Sequence, residues 1–350
     1  MMYGSPHVGW VLNLICSYLS GRTMVLTYRQ ARSSEKSLPG GFSAGTWLGG
    51  LLFIVKFNGA CLRPPVPRPL TGNRSLQLKY VDDSSQMASI NLKKSLEKDP
   101  NVRPGPFNYH ERTETSIINS ENVLNQELAR FRDFCTQNKL VINSKKSFVM
   151  AFNRSRTFAF PPEFTLGNSD FLTVQKTLRI LGVIIQDDLG WRSQTNEMVK
   201  RASKTIWVLR RMNSLGVDQD TLVNYWKAEG RVHLEMACPV WHSGLTLGQS
   251  RDLDRAQRMA MAAIAGRWEP SHSGQLRQLG LEPLGPRRVK LCRTFAARTA
   301  KDSRHMDIFV PSGARPRKGK LVKIYREPKS QTATHYNSAL PFLTCLLNSD

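Results

Sequence analysis

The sequence predicts an α+β fold, and three observations carry it. Residues 76–88 read as a β-hairpin: Leu76, Leu78 and Tyr80 alternate with Gln77 and Lys79, and Asp82-Asp83 fall where the chain turns. Residues 121–138 read as an amphipathic helix, with Leu124, Leu128, Phe131 and Phe134 (or Cys135) at three- and four-residue spacing behind Ser120 as N-cap. From Trp191 onward the apolar period is helical.

In chain order, residues 1–62 read as two helical stretches joined by a glycine-rich turn, Gly40 to Gly45. Arg63 to Pro69 holds four prolines and is a stiff, basic connector. The hairpin follows, then a helical run around Ile90 to Leu96. Asp99 to Thr115 carries prolines at 100, 104 and 106 with no period and reads as a surface loop. After the helix of 121–138, strands are predicted at 147–152, 163–166, 171–174 and 178–185, with Gly167-Asn168 as a turn. Hairpin, helix and strand in that order suit an antiparallel sheet of ferredoxin-like type. Beyond Trp191, Met198, Ala202, Thr205, Ile206 and Leu209 form one helix face, with Lys200, Arg201, Lys204, Arg210 and Arg211 around it. Further helices are predicted at about Gln219 to Cys238 and Ser250 to Ala265. The expected divisions are therefore 1–62, 63–190, 191–266 and a basic, partly flexible region over 267–350.

The chain has 350 residues, of which 40% are hydrophobic, enough for a packed core and against wholesale disorder. Fifty Lys and Arg face 27 Asp and Glu, a net charge of +23, and the pI is about 10.2. A surface so skewed is the footprint of a chain that lies along phosphate backbones. Residues 286–329 alone carry 14 Lys/Arg against 3 Asp/Glu, and Pro311 to Lys320 reads as a basic arm or a solvated tail. The six cysteines form no close pairs, which argues against a secreted disulfide framework and a zinc module. Cys238 and His242 are four apart, a half-site with no second Cys/His pair in the sequence. The apolar run Trp47 to Val55 stops at Lys56, too short to span a bilayer. No basic region precedes Val8 to Leu19, so no signal peptide is expected. An intracellular protein, nuclear or cytoplasmic, with no membrane partner is the expectation.

At Tyr80-Val81-Asp82-Asp83 the chain resembles the reverse transcriptases of non-LTR retrotransposons, whose polymerase signature is a Tyr-x-Asp-Asp hairpin. Other segments match the family in family order. Leu14 to Arg22 is similar to its Tyr-Leu-Ser-x-Arg segment. Leu38 to Leu48 with Leu51 to Asn58 is similar to its glycine-rich, template-and-nucleotide-binding motif. Ile142-Asn143-Ser144-Lys145-Lys146-Ser147 is similar to its lysine motif, Leu178 to Ile185 to its primer grip, and Pro239-Val240-Trp241-His242 to a thumb landmark. The resemblance runs from about Asn13 to Gly266. It implies part of a right-hand polymerase palm followed by a helical thumb, and RNA-templated DNA synthesis by two-metal nucleotidyl transfer with Mg2+ (or Mn2+). RNA template, DNA primer or duplex, and dNTPs are the partners it implies.

The same resemblance assigns roles. Asp82 is the expected direct metal ligand; Asp83 binds metal more peripherally or satisfies the turn. Tyr80 lies in the palm with its hydroxyl near the primer. Lys145 assists pyrophosphate departure as a proton donor, an assignment for which Lys146 competes. Gly45 and Thr46 sit on the template side, and Gly182 marks the primer-grip bend. Two departures bear on activity. The family's third carboxylate precedes the glycine-rich motif, yet the sole acid before Asp82 is Glu35, in a polar stretch. Ser43-Ala44 also stands where the family usually has Pro-Gln. The expectation is an N-terminally truncated fragment, impaired in nucleotidyl transfer. The alternative is a non-catalytic, nucleic-acid-binding remnant of a transposable element.

Overall fold

The computed structural model describes residues 6–38, 74–80, 83–89, 125, 128–152, 163–167, 170–268, 271–305, 308–313, 324–330 and 332–349. It is a mixture of helices and small antiparallel sheets, divided into two units, Met1–Ile142 and Asn143–Asp350.

In the first unit, α1 (Pro6–Leu19) opens on a proline, whose missing N–H is one of the helix's unbonded donors in any case. It stops at Gly21, which has φ +63°, and the Nε of Arg22 donates to the carbonyl of Leu19 at 3.1 Å. A nested hairpin that no apolar alternation announced follows. β1 (Thr23–Met24) pairs with β4 (Lys36–Ser37), and β2 (Thr27–Tyr28) pairs with β3 (Ala31–Arg32). Its amides are satisfied between the rungs: Ser33 N–H donates to the Leu26 carbonyl at 2.8 Å, and Leu26 N–H to Ser33 Oγ at 2.9 Å.

The predicted longer hairpin forms. β5 (Arg74–Tyr80) and β6 (Asp83–Ser89) are antiparallel from Arg74↔Ser89 to Tyr80↔Asp83. Of the helix expected over 121–138, residues 128–137 are described as α2, with Cys135 buried and Leu128, Phe131 and Phe134 half-buried. It ends where Lys139 takes φ +55° and Asn138 Nδ2 donates to the Phe134 carbonyl at 2.9 Å. The glycine-rich turn, the proline-rich connector, the helical run at 90–96 and the loop of 99–115 lie outside the described residues.

In the second unit, Val149 forms a parallel bridge to Val174, so the 147–152 segment joins the edge of the β7–β8 ladder. β7 (Glu163–Gly167) and β8 (Asp170–Thr173) are antiparallel, with the register shifting between Thr165 and Gly167. The single strand expected over 178–185 is instead a tight hairpin, β9 (Thr177–Ile180) and β10 (Val183–Gln186). Leu181 (φ +48°) and Gly182 (φ +87°) form its turn, and two positive φ values match the twist of the strands they join. The run Leu-Arg-Ile-Leu-Gly-Val-Ile-Ile hides this, because only Gly182 signals a turn.

α3 (Arg192–Ser214) begins within hydrogen-bonding reach of that hairpin. Gln194 Oε1 accepts from the Ile184 N–H at 2.8 Å, and Gln186 Oε1 accepts from the Ser193 N–H at 2.8 Å. The expected face is buried, and Gln194 and Thr195 are buried with it. The helix expected over 219–238 is segmented. α4 (Gln219–Tyr225), capped by Asp218 on the Thr221 N–H, passes through a wide π-helical turn at Trp226–Gly230 into α5 (Arg231–Glu235). The chain then breaks at Ala237 (φ +54°) before α6 (Cys238–Trp241). α7 (Leu247–Ala265) starts on a capping box of Thr246 and Gln249 and ends at Gly266, φ +72°. Asn213 Nδ2, at the end of α3, donates to the carbonyl of Ala263 at 2.9 Å.

The region beyond 266 joins the same core. α8 (His272–Gln278), α9 (Leu284–Lys301), α10 (Ala333–Tyr336) and α11 (Ala339–Asn348) follow. Leu276, Leu284, Cys292, Ala296, Phe309, Leu343 and Leu347 cluster with Ile206, Leu209, Trp226, Trp241, Leu253 and Met261. Each such aliphatic side chain contributes roughly 1.5–3 kcal/mol by leaving water. Asn348 ties the end down, donating to the Tyr325 carbonyl at 3.0 Å and accepting its N–H at 2.9 Å. Residues 314–320 of the expected basic arm lie outside the described residues.

Candidate nucleic-acid interface

Strand alternation sets the β5–β6 hairpin. Leu76, Leu78 and Tyr80 alternate along β5, and β6 opens on Asp83 opposite Tyr80. Val81 and Asp82 stand between the paired ends and lie outside the described residues, as do Gly45 and Thr46. Tyr80 and Asp83 are thus the two expected site residues that the described backbone brings together. Two adjacent aspartates offer hard oxygen donors that suit one divalent cation. A bridged pair of ions about 4 Å apart needs a further carboxylate, and Glu35 is the sole other acid up to that point. By their chemistry the two adjacent carboxylates suit one hard divalent cation such as magnesium or manganese. Among the described residues no three His, Cys, Asp or Glu side chains converge as a metal group.

The other expected residues belong to the second unit. Lys145 lies in a 3-10 turn, Ser144–Lys146, with its side chain exposed, and Lys146 beside it is equally exposed. The turn is held by Ser147 Oγ, which donates to the Asn143 carbonyl at 2.9 Å. Gly182 occupies the β9–β10 turn, where its positive φ is what glycine supplies. A Cβ there would meet Met236 Cε at an ordinary 3.5 Å, so backbone conformation rather than space selects glycine.

Pro239-Val240-Trp241-His242 proves to be a core corner. Pro239 sits in the first turn of α6, and Trp241 is fully buried with its Nε1 donating to the Met236 carbonyl at 2.9 Å. His242 packs edge-on to Phe342 at 5.6 Å, and burial, with the Arg288 guanidinium, lowers its pKa to about 4. The Cys238 and Cys292 sulfurs are 4.0 Å apart, and that hydrogen bond together with burial pushes the Cys292 thiol up. Arg288 is fully buried, lies 5.9 Å from the Trp241 ring centre, and reaches Ser250 Oγ with Nη2 at 3.4 Å.

A run of positive charge lies along the outer face of α3. Met198, Ala202, Ile206 and Leu209 face the core, so helical geometry sends Lys200, Lys204, Trp207 and Arg211 to the opposite side, where all four are exposed. The lone acid of α3, Glu197, accepts from Arg201 at 2.9 Å and Arg179 at 3.3 Å, which hold its carboxyl below the usual range. Lys200, Lys204, Arg210 and Arg211 form no ion pair among the described residues. The cations were legible in the sequence; the exposure of Trp207 follows from the same wheel. Among the described residues no helix is long and apolar enough to cross a membrane. No protein-family model matches the chain, and neither a curated protein nor a solved structure matches it.

Proposed function

We propose that this chain is a nucleic-acid-binding protein of reverse-transcriptase type, derived from the polymerase of a non-LTR retrotransposon. The observation that carries the reading is the β5–β6 hairpin, in which Tyr80 pairs with Asp83, so that the first aspartate of the signature, Asp82, falls by sequence in the two-residue connection. Net charge of +23 and the unneutralised cations of α3 support a phosphate-rich partner. On this reading the partner is an RNA template with its DNA primer, inside the cell. Asp82 holds a divalent cation, Asp83 assists it, and Tyr80 faces the primer end. Gly45 and Thr46 line the template side, Lys145 stands ready as a proton donor, and Gly182 shapes the primer grip.

Phosphoryl transfer depends on positioning and charge neutralisation, and the donor set here does not suit a bridged ion pair. Binding without efficient nucleotide addition is therefore the function proposed for these 350 residues. One purified sample tests both parts: binding to an RNA–DNA hybrid at low salt, and primer extension on the same hybrid with magnesium or manganese. Binding without extension supports the reading. Absence of binding to any nucleic acid at low salt removes it.

A further inference from the structure

Trp207 is 67% exposed at the middle of α3's outer face. A single exposed apolar side chain is ordinary on a protein surface; what sets Trp207 apart is its place among cations. Its position is defined: Lys200 lies seven residues before it, Lys204 three before, and Arg211 four after, so the four side chains form one row about 16 Å long. Ser203 and Ser214, small and exposed, flank the ring on the same side. Among the described residues the other strongly exposed tryptophan is Trp268, whose face is covered by Arg258 with its guanidinium carbon 4.7 Å from the ring centre. Among the described residues Trp207 has no such partner.

We infer that the outer face of α3 is a docking row for a single-stranded polynucleotide, with Trp207 stacking on an unpaired base and Lys200, Lys204 and Arg211 holding the flanking phosphates. The inference rests on the reading of the chain as a nucleic-acid-binding protein and adds the strandedness and the residues. Charge complementarity selects the partner: the row has three cations, none neutralised by the helix's single acid, which serves Arg179 and Arg201. The ring selects the strandedness. In a duplex each base face is already stacked on its neighbour, so an indole between two cations gains little. An unpaired base has a free π-face, and stacking on an aromatic side chain is worth roughly 1–3 kcal/mol per base.

The test is fluorescence anisotropy of a labelled oligodeoxythymidine and of a labelled duplex of equal length, with the full chain. Trp207→Ala is expected to weaken single-strand binding by about fivefold to a hundredfold. Duplex binding should change little, and Trp207→Phe should keep most of the single-strand affinity. Combined Lys200→Ala, Lys204→Ala and Arg211→Ala should reduce the single-strand salt slope by about 2. Thermal melting of each variant should match the parent, since all four side chains are exposed. Equal loss on both probes, or no loss with Trp207→Ala, overturns the inference while leaving nucleic-acid binding intact. So does a Trp207 signal, read as the difference between the parent and Trp207→Phe, that acrylamide cannot quench in the free chain. Failure of the unmodified chain to bind either probe at low salt removes the underlying reading instead.

Discussion

The indole of Trp226 lies directly against the backbone of Gly230, one turn along the same helix, so that a Cβ at Gly230 would overlap the edge of the ring at Cε3 and Cζ3. Trp226 is fully buried in the core, and the π-helical turn from Trp226 to Gly230 joins α4 to α5 at this contact. Two effects compete in Gly230→Ala. Helix propensity favours alanine by about 1 kcal/mol. Overpacking against a ring that cannot swing away costs about 1–3 kcal/mol. The ring is held by the core on its other side, so the second effect wins. A lowered urea midpoint is expected, whereas Gly285→Ala, with nothing within 4 Å, should be neutral or mildly stabilising. Equal behaviour of the two variants would contradict the packing described.

His242 makes stability depend on pH. Its Nδ1 is buried and has no hydrogen-bond partner among the described residues, and burial and Arg288 lower its pKa from 6.5 to about 4. Between those values the unfolded chain binds the extra proton and the folded chain does not. Stability is therefore full above pH 6.5 and falls as pH drops toward 4. Allowing for solvent screening, the loss is on the order of 2 kcal/mol. Urea unfolding at pH 7 and pH 5 measures it, and His242→Phe should flatten the difference. A parent chain equally stable at both values would show that His242 is not held neutral.

The family resemblance makes a demand on catalysis. No primer extension is expected from the 350-residue chain on an RNA template with magnesium or manganese, and joining a family palm segment with its carboxylate ahead of the chain should restore some. Asp82→Ala should abolish what is restored. Extension by the unmodified chain that Asp82→Ala abolishes would show that the two aspartates suffice.

Legibility in the sequence followed burial. The α3 face from Met198 to Leu209 was readable because its apolar period is unbroken, and the β5–β6 hairpin because alternation meets a polar turn. Gln194 and Thr195 escaped because burial of a polar side chain depends on a distant partner, here the Ile184 amide for Gln194. The packing of 267–350 into the core escaped for a different reason. Its basic composition masks Leu284, Arg288, Cys292 and Ala296, which repeat every four residues along the buried side of α9. At the hairpin, alternation announced the two strands but placed both aspartates in the turn, whereas Asp83 opens β6 opposite Tyr80. The roles of Asp82, Asp83, Lys145, Gly45 and Thr46 came from family resemblance, since chemistry at such positions leaves no periodic signature.

The central claim is that the excess positive charge faces phosphate. Salt titration of binding to an RNA–DNA hybrid tests it most directly. The chain is expected to bind at about micromolar concentration in low salt. The logarithm of its affinity should fall linearly with the logarithm of salt concentration, with a slope of several counterions. Binding that holds its strength as salt rises, or no binding in low salt, would contradict the account.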